Sequence, residues 1–351
     1  MLKELIHPDI WDPSVDPNSI PIENIDMANS DIFMYGDAIF PLFERLRKED
    51  PVHYCPESCV EEVGAYWSIT KYNDIMEVDT NHKVFSSEGS ITLFDPEEDF
   101  TTPMFIAMDP PKHDIQRKAV NPVVAPSNLI NMKDLIRERT AEVLDNLPRN
   151  KQFNWVEEVS IELTTRMLAT LFDFPFHDRR KLTRWSDVST ARPGDGIVDT
   201  EEQRKEELFE CLEYFTRIWN DRVNSEPKTD LVSMLAHNPS TRNMDPMEYL
   251  GNLILLIVGG NDTTRNSMTG GVLALNQNLD QYEKLRKDHS LIYSMVPEII
   301  RWQTPLAYMR RTALEDYELG GKLIKKGDKV IMWYVSGNRD EEVIDNQNSF
   351  I

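Results

Sequence analysis

Cysteine is scarce in this chain: three residues (Cys55, Cys59, Cys211) in 351. So few thiols cannot staple a chain of this length, and an odd number argues against an oxidising compartment. Cys55 and Cys59 form a C-x3-C pair near His53, but no second Cys or His pair follows at zinc-like spacing, so no chain-built metal site is expected. Long apolar runs are missing too. The longest, Leu253 to Val258, falls far short of the ~20 residues a membrane span needs, and the leader up to Pro17 carries charges and prolines where a signal peptide needs an apolar run. Positive charge is in deficit: 38 Lys and Arg stand against 60 Asp and Glu, for a net charge of −22. That surplus repels phosphate backbones and anionic lipid, which argues against nucleic-acid and membrane-surface partners. Phosphate-binding and dinucleotide glycine motifs and the G-x-S-x-G nucleophile elbow are all missing, so hydrolase and nucleotide-dependent readings lose their usual support. The expectation is a soluble cytoplasmic protein with no membrane anchor.

What is present is mostly helical. Phe40 to Glu49 reads as a helix, Pro51 to Tyr54 and Ala65 to Thr70 as strands, and Lys71 to Thr80 as helix. An irregular stretch from Ser86 to Pro111 carries the apolar points Ile91, Leu93, Phe94, Met104, Phe105 and Ile106; unstructured segments of this length commonly serve as lids or binding loops. From about 112 to 300 the pattern is helical. Val156, Val159, Leu163, Met167 and Leu171 predict one buried face ending at Pro175. Glu201 to Val223 is amphipathic, Glu248 to Asn276 is long and apolar, and Leu291 to Gln303 is the last helix. Short strands at Tyr317 to Leu319, Lys322 to Ile324 and Lys329 to Tyr334 follow, separated by the turns Gly320-Gly321 and Gly327-Asp328. The fold class is mainly α with a minor β region.

Three motifs could carry chemistry. Gly259-Gly260-Asn261-Asp262-Thr263-Thr264 interrupts the most apolar helix. Two interior glycines cost about 1 kcal/mol each, the threonines compete for backbone carbonyls, and a carboxylate enters a helix that demands burial. The spacing predicts either a local bulge with a polar pair facing a cavity, or a helix end at the glycines with a new cap at Asp262. Glu298 and Arg301 lie three apart on one helical face and can pair, as many surface residues do. Pro110-Pro111 opens a helix on which His113 and Arg117 lie four apart, able to hold an anion or simply to be solvated.

The order and separation of these motifs resemble the cytochrome P450 superfamily of haem-thiolate monooxygenases, from about Phe40 to the last residue. Asn338-Arg339-Asp340 and Asn348-Ser349-Phe350 resemble the stretch just before that family's haem-binding loop. The wording around Met108 to Leu129 and around Pro305 to Gly321 is similar to the bacterial soluble class, and within it to alkane terminal hydroxylases. The resemblance implies one P450 domain over residues 1–351. Haem b iron would be its cofactor, with dioxygen and NAD(P)H-derived electrons delivered by a ferredoxin reductase and an iron–sulfur ferredoxin. It implies that Gly259 and Gly260 open a groove for dioxygen, that Asp262 and Thr263 relay protons to it, and that His113, Arg117 and Arg311 hold the haem propionates. Glu298 and Arg301 would be structural. Ile91, Leu93, Met104, Phe105, Ile106, Leu255, Val258 and Leu306 would line an apolar pocket, where an alkyl chain gains about 0.8 kcal/mol per buried CH2.

One departure stands out. The family's proximal cysteine would lie beyond Ile351, and Cys55, Cys59 and Cys211 match nothing in its loop. The expectation is therefore a P450 fold incomplete at the C-terminus, lacking its metal ligand and inactive by itself, with function belonging to the parent enzyme: terminal hydroxylation of medium-chain alkanes or fatty acids. Steroid or terpenoid hydroxylation is the alternative within the superfamily. A non-catalytic helical protein binding apolar ligands is the alternative outside it, although such a binder gains nothing from a buried Asp262-Thr263 pair.

Overall fold

The computed structural model describes residues 14–97 and 99–351; most of the leader lies outside the described residues. These residues group into two compact units, one formed by the chain up to Glu97 together with Lys284–Ile351, the other by the residues between.

The first unit holds the β structure. Strands β1 (Val52–Cys55), β2 (Tyr66–Ile69), β3 (Phe85–Ser86), β4 (Met309–Ala313) and β7 (Lys329–Met332) form one sheet in the order β1-β2-β7-β4-β3, and β5 (Tyr317–Leu319) pairs with β6 (Lys322–Ile324) as a hairpin. Among these described strands only the β2–β7 pairing is parallel, with Trp67 opposite Val330. The sequence reading missed β4, which lies between β7 and β3. Two arginines in five residues do not read as an inner strand; Arg310 is tolerated because its buried guanidinium reaches Asp95 at 2.7 Å. Helices α1 (Phe40–Glu49), α2 (Tyr72–Thr80), α11 (Ile292–Gln303) and the short α12 (Tyr334–Gly337) complete this unit.

The second unit is helical: α3 (Lys112–Val124), α4 (Pro126–Asp145), α5 (Glu162–Phe172), α6 (Arg180–Thr190), α7 (Glu201–Val223), α8 (Leu231–His237) and α9 (Pro246–Gln277), with α10 (Leu279–Lys287) carrying the chain back to the first unit. Its core joins Phe172, Phe174, Trp185 and Phe215 to Leu250, Leu253 and Ile257 of α9. A wide π turn, Val156–Ile161, precedes α5 and shifts the helical phase. The buried face is thus Val159, Ser160, Ile161, Thr164, Thr165, Leu168, Ala169 and Phe172, while the predicted Leu163, Met167 and Leu171 are only half-buried. Thr164 and Thr165 survive on that face because each hydroxyl donates to a carbonyl one turn back, Ser160 O at 3.0 Å and Ile161 O at 2.7 Å. The helix ends at Asp173, whose left-handed backbone (φ 48°) stops it before Pro175.

Candidate oxygen-handling face and cation sites

The long helix α9 begins with a side-chain cap: Asp245 accepts from the amide of Met247 at 2.9 Å, with Pro246 in the first turn. It then runs unbroken to Gln277. Both sequence expectations for Gly259 to Thr264, a bulge and a helix break, are therefore corrected. Packing of Leu250, Leu253, Ile257 and Asn261 on the buried face holds the glycines in helical geometry without either device.

The two glycines face different surroundings. A Cβ on Gly259 would meet nothing within 4 Å, whereas one on Gly260 would lie 2.6 Å from Leu168 Cδ2. Gly260 is thus a packing glycine against α5, and only Gly259 leaves space. Leu255, Gly259 and Thr263, spaced four apart, share one side of α9, and Thr263 Oγ1 donates to the Gly259 carbonyl at 3.0 Å. Asp262 is not buried as expected, since its side chain is 31% exposed. Its carboxylate pairs with Arg265 one turn on, and Arg265 Nη1 reaches Asp187 of α6 at 3.1 Å.

On α3, His113 Nδ1 lies 2.7 Å from the Phe105 carbonyl. A carbonyl only accepts, so Nδ1 carries the hydrogen and Nε2 is left for another partner. Arg117, one turn on, is exposed. Arg311 belongs to the other unit, on β4, and its guanidinium is already engaged by Asp79 at 2.7 Å and by the Arg310 carbonyl at 2.9 Å. Glu298 and Arg301 of α11 are more than a surface pair. Their two hydrogen bonds are both 2.7 Å, and Arg301 also donates to the carbonyls of Asn338, Gln347 and Ser349 at 2.7 to 3.0 Å. Arg339 lies 4.3 Å from the Trp302 ring centre; burial, with Arg301 beside it, pushes its pKa down to about 10.

Of the expected pocket residues, Leu93 and Phe105 are core side chains of their respective units. Ile91, Met104, Ile106, Leu255 and Val258 are half-buried, and Leu306 is exposed. Sequence reasoning missed Arg265 and Asn252. Arg265 sits at i+3 from Asp262, a spacing that could have flagged it. Asn252, buried at 1% exposure, gave only the signal of an amide inside an apolar helix.

Cys55 and Cys211 are core side chains of their respective units and Cys59 is half-buried. Burial pushes the Cys55 and Cys211 pKa values well up, and burial together with the nearby Asp26 carboxylate pushes Cys59 up to about 12. Among the described residues no group of three His, Cys, Asp or Glu side chains is arranged to hold a metal. The open side of Gly259, the Thr263 hydroxyl and the His113/Arg117 pair fit the oxygen-binding face and carboxylate edge of a haem.

The sequence signature described as "Cytochrome P450" matches residues 195–351. Linalool 8-monooxygenase of Pseudomonas putida is 31% identical over 343 residues, 94% of this chain and 83% of that protein. The methyl-branched lipid omega-hydroxylase of Mycobacterium tuberculosis is 30% identical over 339 residues, covering 93% and 78%. Among solved structures, Cytochrome P450-153 from Novosphingobium aromaticivorans superposes with a TM-score of 0.84 at 44% identity, covering 93% of this chain and 82% of that one. The chain belongs to the cytochrome P450 family of monooxygenases. That family implies haem iron, dioxygen and electrons from redox partners.

Proposed function

We propose that this enzyme hydroxylates the terminal carbon of medium-chain alkanes or fatty acids, with electrons passing from NAD(P)H through a ferredoxin reductase and an iron–sulfur ferredoxin. The observation that carries the reading is the open side of Gly259 beside the Thr263 hydroxyl, on the helix that sends Leu250, Leu253 and Ile257 into the core. Haem, when bound, supplies the iron that activates dioxygen. His113 Nε2 and Arg117 hold carboxylates, charge-assisted contacts of the strong kind. Leu255 and Val258 offer apolar surface next to Gly259. Thr263, by rotating away from the Gly259 carbonyl, presents its hydrogen to an oxygen seated over Gly259. Asp262, open to solvent on one side, takes up a proton from water when Arg265 releases the carboxylate and passes that proton on to the Thr263 oxygen. Positioned proton transfer of this kind contributes about 10²–10⁴-fold. A strongly acidic chain repels an acidic ferredoxin, so the partner needs a local basic patch; Arg117 and Lys118, exposed on α3, supply cations for one.

Two relatives favour different substrates. The name of the lipid omega-hydroxylase specifies a chain end, in keeping with the proposal, and that of the linalool enzyme a terpenoid, in keeping with the alternative. The haem-loaded full-length enzyme, given octane, a ferredoxin, its reductase, NADH and isotopically labelled dioxygen, should form the primary alcohol carrying the label. Oxidation of linalool or a steroid with no attack on octane would replace the proposal with the alternative.

A further inference from the structure

The loop ahead of α3 is tied to α9 at one residue. The Phe105 amide donates to Asn252 Oδ1 at 2.9 Å, and the Phe105 carbonyl accepts from His113 Nδ1 at 2.7 Å. Both main-chain polar groups of one loop residue are thus held, one by α9 and the other by the histidine assigned to the cofactor's carboxylate. Asn252 is itself held: its Nδ2 donates to Gln116 Oε1 at 3.2 Å, and Gln116 Nε2 donates to Glu248 Oε1 at 2.5 Å. The neighbouring residue supplies the room. A Cβ on Gly251 would lie 2.2 Å from the Pro103 carbonyl oxygen and 2.6 Å from that of Thr102, both main-chain atoms with nowhere to go. Nothing in the folding of α9 requires an amide at 252 or a glycine at 251; an alanine and a leucine would make a better apolar helix.

We infer that Asn252 is a positioning residue, which with Gly251 docks the loop 101–107 on α9 and so sets which carbon of the substrate faces the oxygen over Gly259. The inference rests on the proposed reading that Met104 and Ile106 of this loop meet the substrate. Positional precision of this kind matters because a displacement of about 1 Å can cost about a hundredfold in rate at one carbon.

Hydrogen exchange on the full-length chain tests the docking without any turnover. In the wild type the Phe105 amide should exchange at least about tenfold more slowly than the exposed amides of the same loop, since its bond must open first. In Asn252→Ala that difference should vanish, while amides of α7 keep their wild-type rates. Gly251→Ala should loosen the same loop with Asn252 intact. In the haem-loaded enzyme both variants should shift the ratio of terminal to subterminal alcohol by about fivefold or more, with smaller changes in dioxygen consumption. A fast-exchanging Phe105 amide in the wild type overturns the docking, even where neither variant folds. Faster exchange with an unchanged product ratio overturns the positioning role. Should the wild type leave alkanes untouched, the proposed substrate fails, and the ratio of products from whichever apolar substrate it does oxidise decides the positioning role instead.

Discussion

Gly259 and Gly260 are adjacent in sequence and serve opposite needs. Gly259 faces open space, so Gly259→Ala should stabilise the fold by about 0.5–1 kcal/mol through helix propensity, while impairing turnover by filling the oxygen's place. Gly260→Ala gains the same propensity but drives a methyl into Leu168, which is buried at 1% exposure and cannot yield freely. Overpacking of about 1–3 kcal/mol should cancel or outweigh the gain. Urea unfolding of the two variants measures the difference, and equal midpoints would contradict this assignment. The sequence marked the pair as anomalous through its cost to the helix. Which glycine faced which way depends on helix phase relative to Leu168, and no local pattern carries that. The same limit explains Asp262: apolar neighbours on either side suggested burial, but Arg265 three residues on holds the carboxylate at the half-exposed edge of α9.

Elements were legible where one period governed them. α1, α2 and α7 follow their hydrophobic patterns, and the hairpin β5–β6 follows its glycine turn. Where a local irregularity reset the period, the pattern misled: the π turn before α5 moved the buried face off Leu163, Met167 and Leu171. The start of α5 also carries its main electrostatic anchor. Glu162 accepts from Arg166 at 2.7 Å, Arg179 at 2.8 Å and Arg180 at 3.0 Å. Burial alone would raise its pKa, but the bonds from Arg166 and Arg179 outweigh it and hold the carboxyl below the usual glutamate value. A lowered folded-state pKa stabilises the fold above the unfolded value of about 4.3 and loses that contribution as pH falls through the folded one. Glu162→Gln should therefore cost about 1–3 kcal/mol at neutral pH. The gap to wild type should narrow as pH drops below about 4. Thermal melts across that range check it; a gap that widens on acidification would contradict the sign.

At the scale of the whole molecule, the resemblance read from motif order pointed to the family to which the chain belongs, while composition and periodicity had yielded only a mainly helical, acidic chain. The α9 helix explains why. The chemistry proposed for it is distributed over Leu255, Gly259, Asp262 and Thr263, and their meaning comes from sharing a helix that runs unbroken from Pro246 to Gln277. Proton delivery from that helix to oxygen is the central proposal, and it is tested most directly by the coupling ratio, alcohol formed per dioxygen consumed, in the haem-loaded full-length enzyme. Thr263→Ala and Asp262→Asn should keep consuming dioxygen but release it largely as hydrogen peroxide, with coupling lowered by about tenfold or more; Thr263→Ser, which restores the hydroxyl, should recover most of it. Wild-type coupling in both Thr263→Ala and Asp262→Asn would contradict the proton-delivery role assigned to this face of α9.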